Sequence, residues 1–518
     1  MKYGQELKMK KIILFFIIIT FLAIFFIELK DNYVNYDAEK ETVIEDKKES
    51  SEINCGIKIN SIDVPYDKNN NIYYFSINSY SQNARMNFKL NCKNKNFIIN
   101  NQKNTFDIKA NLSGENKILI WDDNNYFETK LIFSILPIVN IYTENSTDPI
   151  DSYTNIDFQI IDGSYMTRKK SADYNYESNG AIKIRGGTSR WLPKKSLRIT
   201  LNEKKTLLDM RKDEDWILDA LYTDVSKIRN KFVSDFWNDI NNNQTVNNDL
   251  HAEFVEMFIN DSYMGLYTLK EPVDQKTVNI DEDGVIIKNI AYKSGFINAN
   301  PNHDYYINNY DSINFDSKEI LNYEMSYPKN YNQYKLFFKK INESLKISDM
   351  DESLDKTVYM DNLINYNLMI VMTLSVDNLG KNIIYSLNNG EDKFLLTPWD
   401  LDLSLGATFD EHPPIYSKLI PNSYNEDEYI REILYEDANI YYSKLVKRYW
   451  KLRKEIYNEE SINKYLDYYK KVLNDSKATI RDSKKWYEYD VEKEIEYIRT
   501  WILKRIDYLD GYFGDKNE

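Results

Sequence analysis

A turn sequence between two apolar runs constrains the fold of this chain more than any other local pattern. The runs are "NIIYSL" (382–387) and "DKFLLT" (392–397), and "NNGE" lies between them. An Asn-Gly turn flanked by such runs predicts an antiparallel hairpin. Because paired strands lie about 4.8 Å apart, residues just before the first strand and just after the second become neighbours in space.

Acidic and amide side chains occupy the open end of this predicted hairpin. Asp377 precedes the first strand, and Asp400 and Asp402 follow the second in "TPWDLDLSLG". Strict alternation through "WDLDL" would place both later carboxylates on one polar face. One carboxylate can orient or deprotonate a hydroxyl, while a second carboxylate and an amide oxygen hold Mg²⁺ or Mn²⁺. We therefore predict a phosphoryl-transfer site with catalytic residues Asp377 and Lys381 and metal ligands Asn382, Asp400 and Asp402.

The spacing of these residues supports the same chemistry, and a structural explanation also stays open. Asn382 follows Asp377 by five positions, as the Asn follows the Asp in protein-kinase catalytic loops. In the alternative, Asp400 caps a turn and Asp402 pairs with an arginine such as Arg229 in "IRNKF". A carboxylate among apolar residues needs such a partner or a metal ion, because its burial is otherwise costly.

Residues 181–205 form a basic segment within an acidic chain. The segment contains eight Lys or Arg residues and one acidic residue, whereas the whole chain has a net charge of −14. Alternating apolar residues predict two strands joined by a loop that contains Gly186 and Gly187. Converging cations and a glycine-containing loop suit phosphate binding, and a solvated basic edge strand is the alternative. The predicted nucleotide contacts are Arg185, Gly186, Lys194, Lys195 and Arg198.

The composition argues against several other classes of function. The three histidines are scattered and there are two cysteines, so a zinc site or a Cys-His nucleophile pair is not expected. The acidic net charge argues against nucleic-acid binding. The carboxylates and the many aromatic residues would also suit glycoside hydrolysis, but the basic segment fits sugars poorly.

The N-terminal residues predict a membrane anchor. Lysines precede "IILFFIIITFLAIFFI" (12–27), which contains no charged residue and would rise about 24 Å as a helix. No cleavage site of the small-x-small type follows, so residues 1–30 are interpreted as an uncleaved signal anchor. The lysines place the N-terminus inside the cell. We therefore expect a single-pass protein with the bulk of the chain outside the cytoplasm.

The rest of the chain divides into three parts by its pattern. Residues 31–52 are highly charged and predict a flexible linker, and residues 53–138 show short alternating runs that predict a small β-sandwich. Cys55 and Cys92 both fall in this region, where an exported chain would form a disulfide and two buried free thiols are the alternative. Residues 139–518 predict a mixed α/β domain that becomes helical from about residue 425.

Five motifs follow one another in an order that resembles a known family. They are "IKIRGGTSRWLPKKSLRI", "WILDALYTDVSKIRNKF", "EMFINDSYMGLYTLKEPVD", "DNLGKNIIYS" and "TPWDLDLSLG". Together they resemble the CotH-type spore-coat kinase family, which has an atypical protein-kinase-like fold. The resemblance covers about residues 139–510. One departure is Gly187, where family members usually carry Asn.

This resemblance implies roles for individual residues. Asp377 would be the catalytic aspartate, Asn382 and Asp400 would be metal ligands, and the basic strand pair would face the phosphates of ATP. "YTLKE" (267–271) stands where a kinase-like fold has its interlobe hinge, and its backbone would meet the adenine. Glu271 in this segment is counted among the cofactor-binding residues and is expected to pair with a lysine.

The resemblance also implies an activity. We expect an α+β chain with a two-lobed kinase-like domain that uses ATP and Mg²⁺ or Mn²⁺ to phosphorylate Ser or Thr hydroxyls. Its partners would be a spore coat or cell-surface protein and, through the N-terminal helix, a membrane. The alternative is an inactive kinase-like scaffold, because the predicted topology places the domain where ATP is scarce.

Overall fold

A computed structural model describes most of the chain and leaves the predicted anchor outside the described part. The described residues are 34–50, 55–77, 85–92, 95–103, 107–109, 115–163, 175–241, 248–289, 319–320, 323–328, 339, 350–378, 381–407, 416–417 and 439–514. Within these ranges no helix is both long and apolar enough to cross a membrane. The predicted anchor at 12–27 lies outside them.

The described residues form a mixed α+β fold, as predicted. The strands are β1 (Lys48–Glu49), β2 (Ile57–Ile59), β3 (Ile62–Asp63), β4 (Tyr66–Asp67), β5 (Ile72–Ser76), β6 (Arg85–Leu90), β7 (Asn96–Ile99), β8 (Gln102–Lys103), β9 (Asp107–Lys109), β10 (Asn116–Trp121), β11 (Asn125–Ser134), β12 (Ile138–Thr143), β13 (Thr154–Ile161), β14 (Asn175–Ile184), β15 (Leu197–Thr206), β16 (Lys212–Asp219), β17 (Ala252–Ile259), β18 (Ser262–Lys270), β19 (Val285–Asn289), β20 (Glu319–Ile320), β21 (Tyr323–Tyr327), β22 (Ile383–Leu387) and β23 (Leu395–Pro398). The helices are α1 (Tyr36–Asp46), α2 (Arg229–Asn241), α3 (Met350–Thr357), α4 (Met360–Thr373), α5 (Asn439–Glu455), α6 (Glu459–Ser476), α7 (Ala478–Lys485) and α8 (Val491–Tyr512).

These elements belong to two compact units. The first unit takes the described residues up to Asp148, together with Ile156–Ser178 and Glu256–Gly265. The second unit takes Pro149–Asn155, Asn179–Val255 and the described residues from Leu266 onward. The first unit thus extends past the boundary predicted at residue 138, because the chain returns to it twice after that point. Such returns depend on strand pairing between distant segments, and local patterns do not reveal them.

The N-terminal part of the first unit is the β-sandwich that the alternating runs predict. One sheet has the order β4-β5-β11-β10-β7-β8, with β1 paired to β11, and the other has the order β3-β2-β6-β9. Both sheets contribute to one core, in which Phe75 and Ile118 of the first sheet pack with Ile57 and Phe88 of the second. The predicted disulfide between Cys55 and Cys92 is present, with a Cα–Cα distance of 5.2 Å.

Helix α1 corrects the prediction of a flexible linker over residues 31–52. Asn35 caps the helix by accepting hydrogen bonds from the backbone N–H groups of residues 37 and 38. Tyr36 and Val43, which lie two turns apart on one face, are buried in a cluster with Trp121. Lys40 also forms a 2.5 Å ion pair with Glu128. Two apolar residues are too few to predict a helix from periodicity, so tertiary packing stabilises this one.

The second unit contains the two strand pairs predicted from the sequence. In the basic pair, β14 runs antiparallel to β15 with Lys183 opposite Arg198. In the hairpin, β22 runs antiparallel to β23 with Ile383 opposite Pro398. The hairpin belongs to a five-stranded sheet of order β20-β21-β19-β22-β23. The C-terminal part is helical, with helices α5 to α8. Apolar residues on one face of these helices are buried, such as Leu466 of α6 and Ile502 of α8.

Candidate active site

The open end of the β22–β23 hairpin brings the predicted catalytic residues together. Asp377 lies in a 3₁₀ turn, Val376–Asn378, shortly after helix α4. Asn382 donates a hydrogen bond from Nδ2 to Asp377 Oδ2 over 3.3 Å, and Lys381 Nζ lies 3.6 Å from the same oxygen. Asn382 has a positive φ of 58°, which Asn tolerates better than most residues. The backbone therefore turns sharply into β22 and directs these side chains to one point.

Asp377 is buried, with 5% of its surface exposed. Burial raises the pKa of the Asp377 carboxyl, Lys381 opposes this shift, and the negative charge of Asp400 adds to it. Asp377, before β22, and Asp400, after β23, are therefore close enough at the open end of the hairpin for their charges to interact. A carboxylate with a raised pKa beside a lysine is a suitable proton acceptor for a hydroxyl group.

Asp400 and Asp402 follow β23 in a turn and not in an alternating strand. The strand ends at Pro398, and Asp400 has a positive φ of 62°. Two hydrogen bonds fix the backbone of Trp399. Its N–H donates to the carbonyl oxygen of Asn382 over 3.1 Å, and its own carbonyl accepts from Nδ2 of Asn378 over 2.8 Å. The alternation predicted for "WDLDL" is therefore wrong, because the chain leaves the sheet one residue before Trp399.

Asp402 still lies close to other carboxylates. Burial, together with the negative charges of Asp400, Asp219 and Asp224, raises the pKa of Asp402 to about 7, and Lys270 opposes this shift. Thr223 Oγ1 donates a hydrogen bond to Asp402 Oδ2 over 3.2 Å.

Arg229 does not serve as the partner of Asp402. Its guanidinium pairs with Asp224 at 2.7 Å and with Glu494 at 2.6 Å, and its Nε donates to Ser404 O over 3.1 Å. The interpretation of Arg229 as a buried ion-pair partner is confirmed. The alternative in which it neutralises Asp402 is wrong.

The donor set at this end of the hairpin fits a hard divalent cation by its chemistry. Among the described residues, no group of three or more His, Cys, Asp or Glu side chains could hold a metal ion by itself. Asp400 nevertheless raises the pKa of both Asp377 and Asp402, so negative charge is in excess here. A divalent cation favours such carboxylate and amide oxygens and would relieve their repulsion. Asp400, Asp402 and the amide oxygen of Asn382 are the residues that would hold it.

Two cations, Arg185 just after β14 and Lys270 at the end of β18, lie over the indole ring of Trp399. The guanidinium of Arg185 is 5.4 Å from the ring centroid, and Lys270 Nζ is 4.9 Å from it. Lys270 Nζ also lies 2.6 Å from Asp219 Oδ2. Burial raises the pKa of Asp219, but the charges of Lys270 and Arg185 outweigh this effect and lower the pKa to about 2. Arg185 therefore lies at the site, where it was predicted. Lys270 and Asp219 fall within two of the quoted motifs, but they were not predicted as site residues because nothing local shows that these two side chains meet.

The Gly186 loop is tightly folded. Gly186 has a φ of 108°, and a Cβ there would lie 2.1 Å from Ser189 Oγ, so only glycine fits. Its carbonyl accepts from Arg190 Nε over 3.0 Å, and Lys195 Nζ donates to Arg190 O over 2.6 Å. Lys195 thus closes the loop. Gly187 is open to solvent, and a Cβ there would meet nothing within 4 Å.

Two of the predicted phosphate-contacting cations have acidic partners in the structure. Lys194 is 1% exposed, and its Nζ lies 2.5 Å from Asp482 Oδ1 on helix α7. Arg198 pairs with Asp215 over 3.0 Å. Lys194 faces the helical part of the unit and not the cleft, so we remove it from the nucleotide contacts. Its partner lies 288 positions away in the chain, beyond the reach of local patterns.

The segment predicted as the hinge lines a cleft that ends at Asp400. The side chain of Glu271 accepts hydrogen bonds from the backbone N–H and from Nη1 of Arg211, so the lysine partner predicted for it is wrong. The cleft contains about 340 Å³ of empty space, part of it open to solvent. Its lining residues are Asn230, Ser234, Leu250, His251, Ala252, Lys270, Glu271, Thr277, Trp399, Asp400 and Leu401.

Comparison with known proteins identifies a similar solved structure and a family. No curated protein matches the chain. The chain is similar to the Helicobacter pylori proinflammatory kinase CtkA, with 8% sequence identity, 61% of this chain and 94% of that chain covered, and a TM-score of 0.30. A family model described as CotH kinase protein matches residues 182–509, which begins well after the predicted domain boundary at residue 139. The match covers more than half of the chain and contains every predicted site residue, and the chain therefore belongs to the CotH kinase family.

Proposed function

We propose that this chain is an ATP- and divalent-metal-dependent protein kinase that phosphorylates Ser or Thr hydroxyls. The observation that carries the proposal is the convergence of Asp377, Lys381 and Asn382 with Asp400 at the open end of one hairpin. Membership of the CotH kinase family supports the same reaction class.

Asp377 acts on the substrate hydroxyl. Its carboxylate accepts the hydroxyl proton as the oxygen attacks the terminal phosphorus of ATP, and ADP leaves. Asn382 orients this carboxylate through the hydrogen bond to Oδ2. Lys381, whose Nζ lies 3.6 Å from Oδ2, keeps the carboxylate ionised by opposing the effect of burial on its pKa.

The remaining residues bind the nucleotide. Asp400, Asp402 and Asn382 would hold Mg²⁺ or Mn²⁺, which supplies neutralisation of the charge on the phosphate oxygens. Arg185 contributes a guanidinium at the edge of the site, where it already lies over Trp399. The adenine would bind on the side of the cleft that Glu271 and His251 line.

We also propose a substrate and a location. The substrate would be a spore coat or cell-surface protein, and the chain would be held at the membrane by residues 12–27 with the kinase domain outside the cytoplasm. Protease treatment of intact cells tests the location. Digestion of the region 53–518 supports it, and full protection of that region contradicts it.

The rival proposal is an inactive kinase-like scaffold in coat or envelope assembly. The observation that favours it is the uncharged N-terminal run, which would place the domain where ATP is scarce. The two proposals differ in the effect of Asp377→Asn in the producing cell. A scaffold keeps its biological role with this change, whereas a kinase loses it.

The direct test uses the full chain purified in detergent, with radiolabelled ATP and either Mg²⁺ or Mn²⁺. Phosphate transfer to the chain itself or to coat-like proteins supports the proposal, provided that Asp377→Asn abolishes it. Asp392→Asn, an exposed position in the same hairpin, is the matched control and should transfer normally. Absence of both nucleotide binding and transfer in the unchanged chain would overturn the proposed kinase activity.

A further inference from the structure

Lys288 lies on the central strand of the five-stranded sheet, between two strands that position functional residues. In the β19–β22 register Lys288 is opposite Ile384, and in the β19–β21 register it is opposite Glu324. Residues directly opposite each other in antiparallel strands share a face of the sheet. Glu324 and Lys288 therefore lie side by side on the face that carries Ile384.

This face leads to the candidate active site. Ile286, two positions before Lys288 and thus on the same face, is buried in a cluster with Ile384 and Trp399. Asn382 lies just before β22 at the open end of the hairpin, and its carbonyl accepts a hydrogen bond from the N–H of Trp399. Lys288 thus lies on the side of the sheet where the indole of Trp399 packs.

The charges around Lys288 agree with this placement. Lys288 is half-buried, and burial lowers the pKa of its ammonium group. Asp400 and Glu324 oppose that shift, whereas Arg185 and Lys381 reinforce it. Lys288 is therefore within electrostatic reach of Asp400 and Lys381 at the open end of the hairpin and of Arg185 beside the Gly186 loop.

Lys288 lies among acidic and basic side chains at this site. Asp400 and, from the neighbouring strand, Glu324 attract its ammonium group, whereas two further cations, Arg185 and Lys381, repel it. Three cations from three separate elements converge beside the predicted metal ligand Asp400. The nearby carboxylates compensate these cations in the free chain, and a multivalent anion that binds between the cations would be attracted by all three.

We propose that Lys288 binds the phosphates of the nucleotide and that Glu324 is a positioning residue that orients its ammonium group. The inference rests on the proposed kinase function and adds a phosphate-binding residue that no sequence motif indicated. Lys288 would then bind the phosphates, which is the role predicted for Lys194. Lys194 is instead buried against Asp482.

The test measures binding of ATP, ADP and adenosine to the full chain in the presence of Mg²⁺, by calorimetry. Lys288→Met should raise the Kd for ATP and for ADP about 10- to 100-fold, the range expected when one hydrogen bond to a charged group is lost. The Kd for adenosine should stay unchanged, because adenosine has no phosphate. Lys288→Gln serves as a second variant and should behave in the same way, and thermal unfolding without nucleotide checks that each variant folds.

Glu324→Gln separates orientation from structure. It should weaken ATP binding less than Lys288→Met does, and the double variant should bind ATP no more weakly than Lys288→Met alone, because the two residues act as a unit. Lys393→Met is the matched control, since Lys393 lies at the other end of the hairpin, 3.4 Å from Asp355. It should leave all three affinities unchanged.

Three results would overturn the inference. The first is an unchanged Kd for ATP in both Lys288 variants. The second is an equal loss of ATP and adenosine affinity together with lower thermal stability, which marks a structural role. In these two cases the unchanged chain still binds ATP and the proposed kinase function stands. The third is a chain that binds neither ATP nor ADP, and this result removes the proposed function as well.

Discussion

Asn382 donates a hydrogen bond to Asp377 across the open end of the β22–β23 hairpin, with Nδ2 3.3 Å from Oδ2. The backbone holds the pair in place independently of this bond, since the N–H of Lys381 donates to the carbonyl of Asp377 over 3.1 Å. The carboxylate is therefore fixed by the same turn that begins β22. A local turn, and not a long-range contact, sets the geometry between these two residues.

Replacing Asp377 with Asn should remove the proton acceptor and leave the fold intact. We expect kcat to fall by about 10²- to 10⁴-fold, the usual contribution of a general base, with little change in the KM for ATP. Steady-state phosphorylation kinetics of the full chain measure both quantities. The exposed Asp392→Asn variant should match the unchanged chain. A kcat for Asp377→Asn close to that of the control would show that Asp377 does not act as the base.

Replacing Asp400 with Asn should weaken binding of Mn²⁺ by about tenfold or more, because a charged ligand of a hard cation is lost. The same change removes the negative charge that raises the pKa of Asp377 and of Asp402, so both pKa values should fall. Electron paramagnetic resonance of free Mn²⁺ measures the affinity. Equal Mn²⁺ affinity in Asp400→Asn and the unchanged chain would exclude Asp400 as a ligand.

The hairpin and its catalytic end were predictable because their signals are local. The turn sequence "NNGE" fixes which residues meet, and Asp377, Asn382 and Asp400 stand next to the strands that the turn joins. Arg185 was predictable for a similar reason, since it lies between the end of β14 and a glycine-containing loop.

The residues that the sequence did not reveal depend on packing between distant segments. Lys270 on β18 and Asp219 on β16 are diagonal neighbours, since Lys270 is opposite Ile217 and Asp219 is opposite Thr268. The alternating patterns of these strands look the same as in any strand and do not reveal the contact. Lys194 looks like a phosphate-binding lysine in sequence, but burial against Asp482 decides its role. Helix α1 was not predicted for the same reason. Its residues Tyr36 and Val43 are buried by packing against the sheet, and this packing is not visible in the local sequence.

Removing the disulfide should destabilise the first unit. Cys55 and Cys92 are 37 positions apart, and closing a loop of this length lowers the entropy of the unfolded chain. We expect the Cys55→Ala/Cys92→Ala variant to lose about 3–4 kcal/mol of unfolding free energy. Urea denaturation, monitored through hydrogen exchange of the amides in β10, measures this loss. Reducing the disulfide in the unchanged chain should lower the unfolding free energy by the same amount. A difference between the two experiments would point to the cavity left by Cys55, which is buried.

The buried Lys194–Asp482 pair predicts a pH dependence of stability. Burial lowers the pKa of Lys194 from 10.5 to about 8, and Asp482 opposes this shift. Below pH 8 the lysine is protonated in both the folded and the unfolded chain, so it adds no pH dependence. Between pH 8 and 10.5 the unfolded chain binds more protons than the folded chain, so stability rises with pH, by at most about 1.4 kcal/mol per pH unit.

This pH dependence can be assigned to Lys194 by comparing variants from pH 7 to pH 9.5, below the range where tyrosines with raised pKa values contribute. Lys194→Met should reduce the rise in unfolding free energy above pH 8, and the part that stays comes from other lysines whose pKa burial lowers, such as Lys227 and Lys288. Lys484→Met, at an exposed position on the same helix as Asp482, should keep it. If the unfolding free energies of the unchanged chain and Lys194→Met stay parallel across this range, the pair remains ionised in the folded chain and Asp482 dominates over burial.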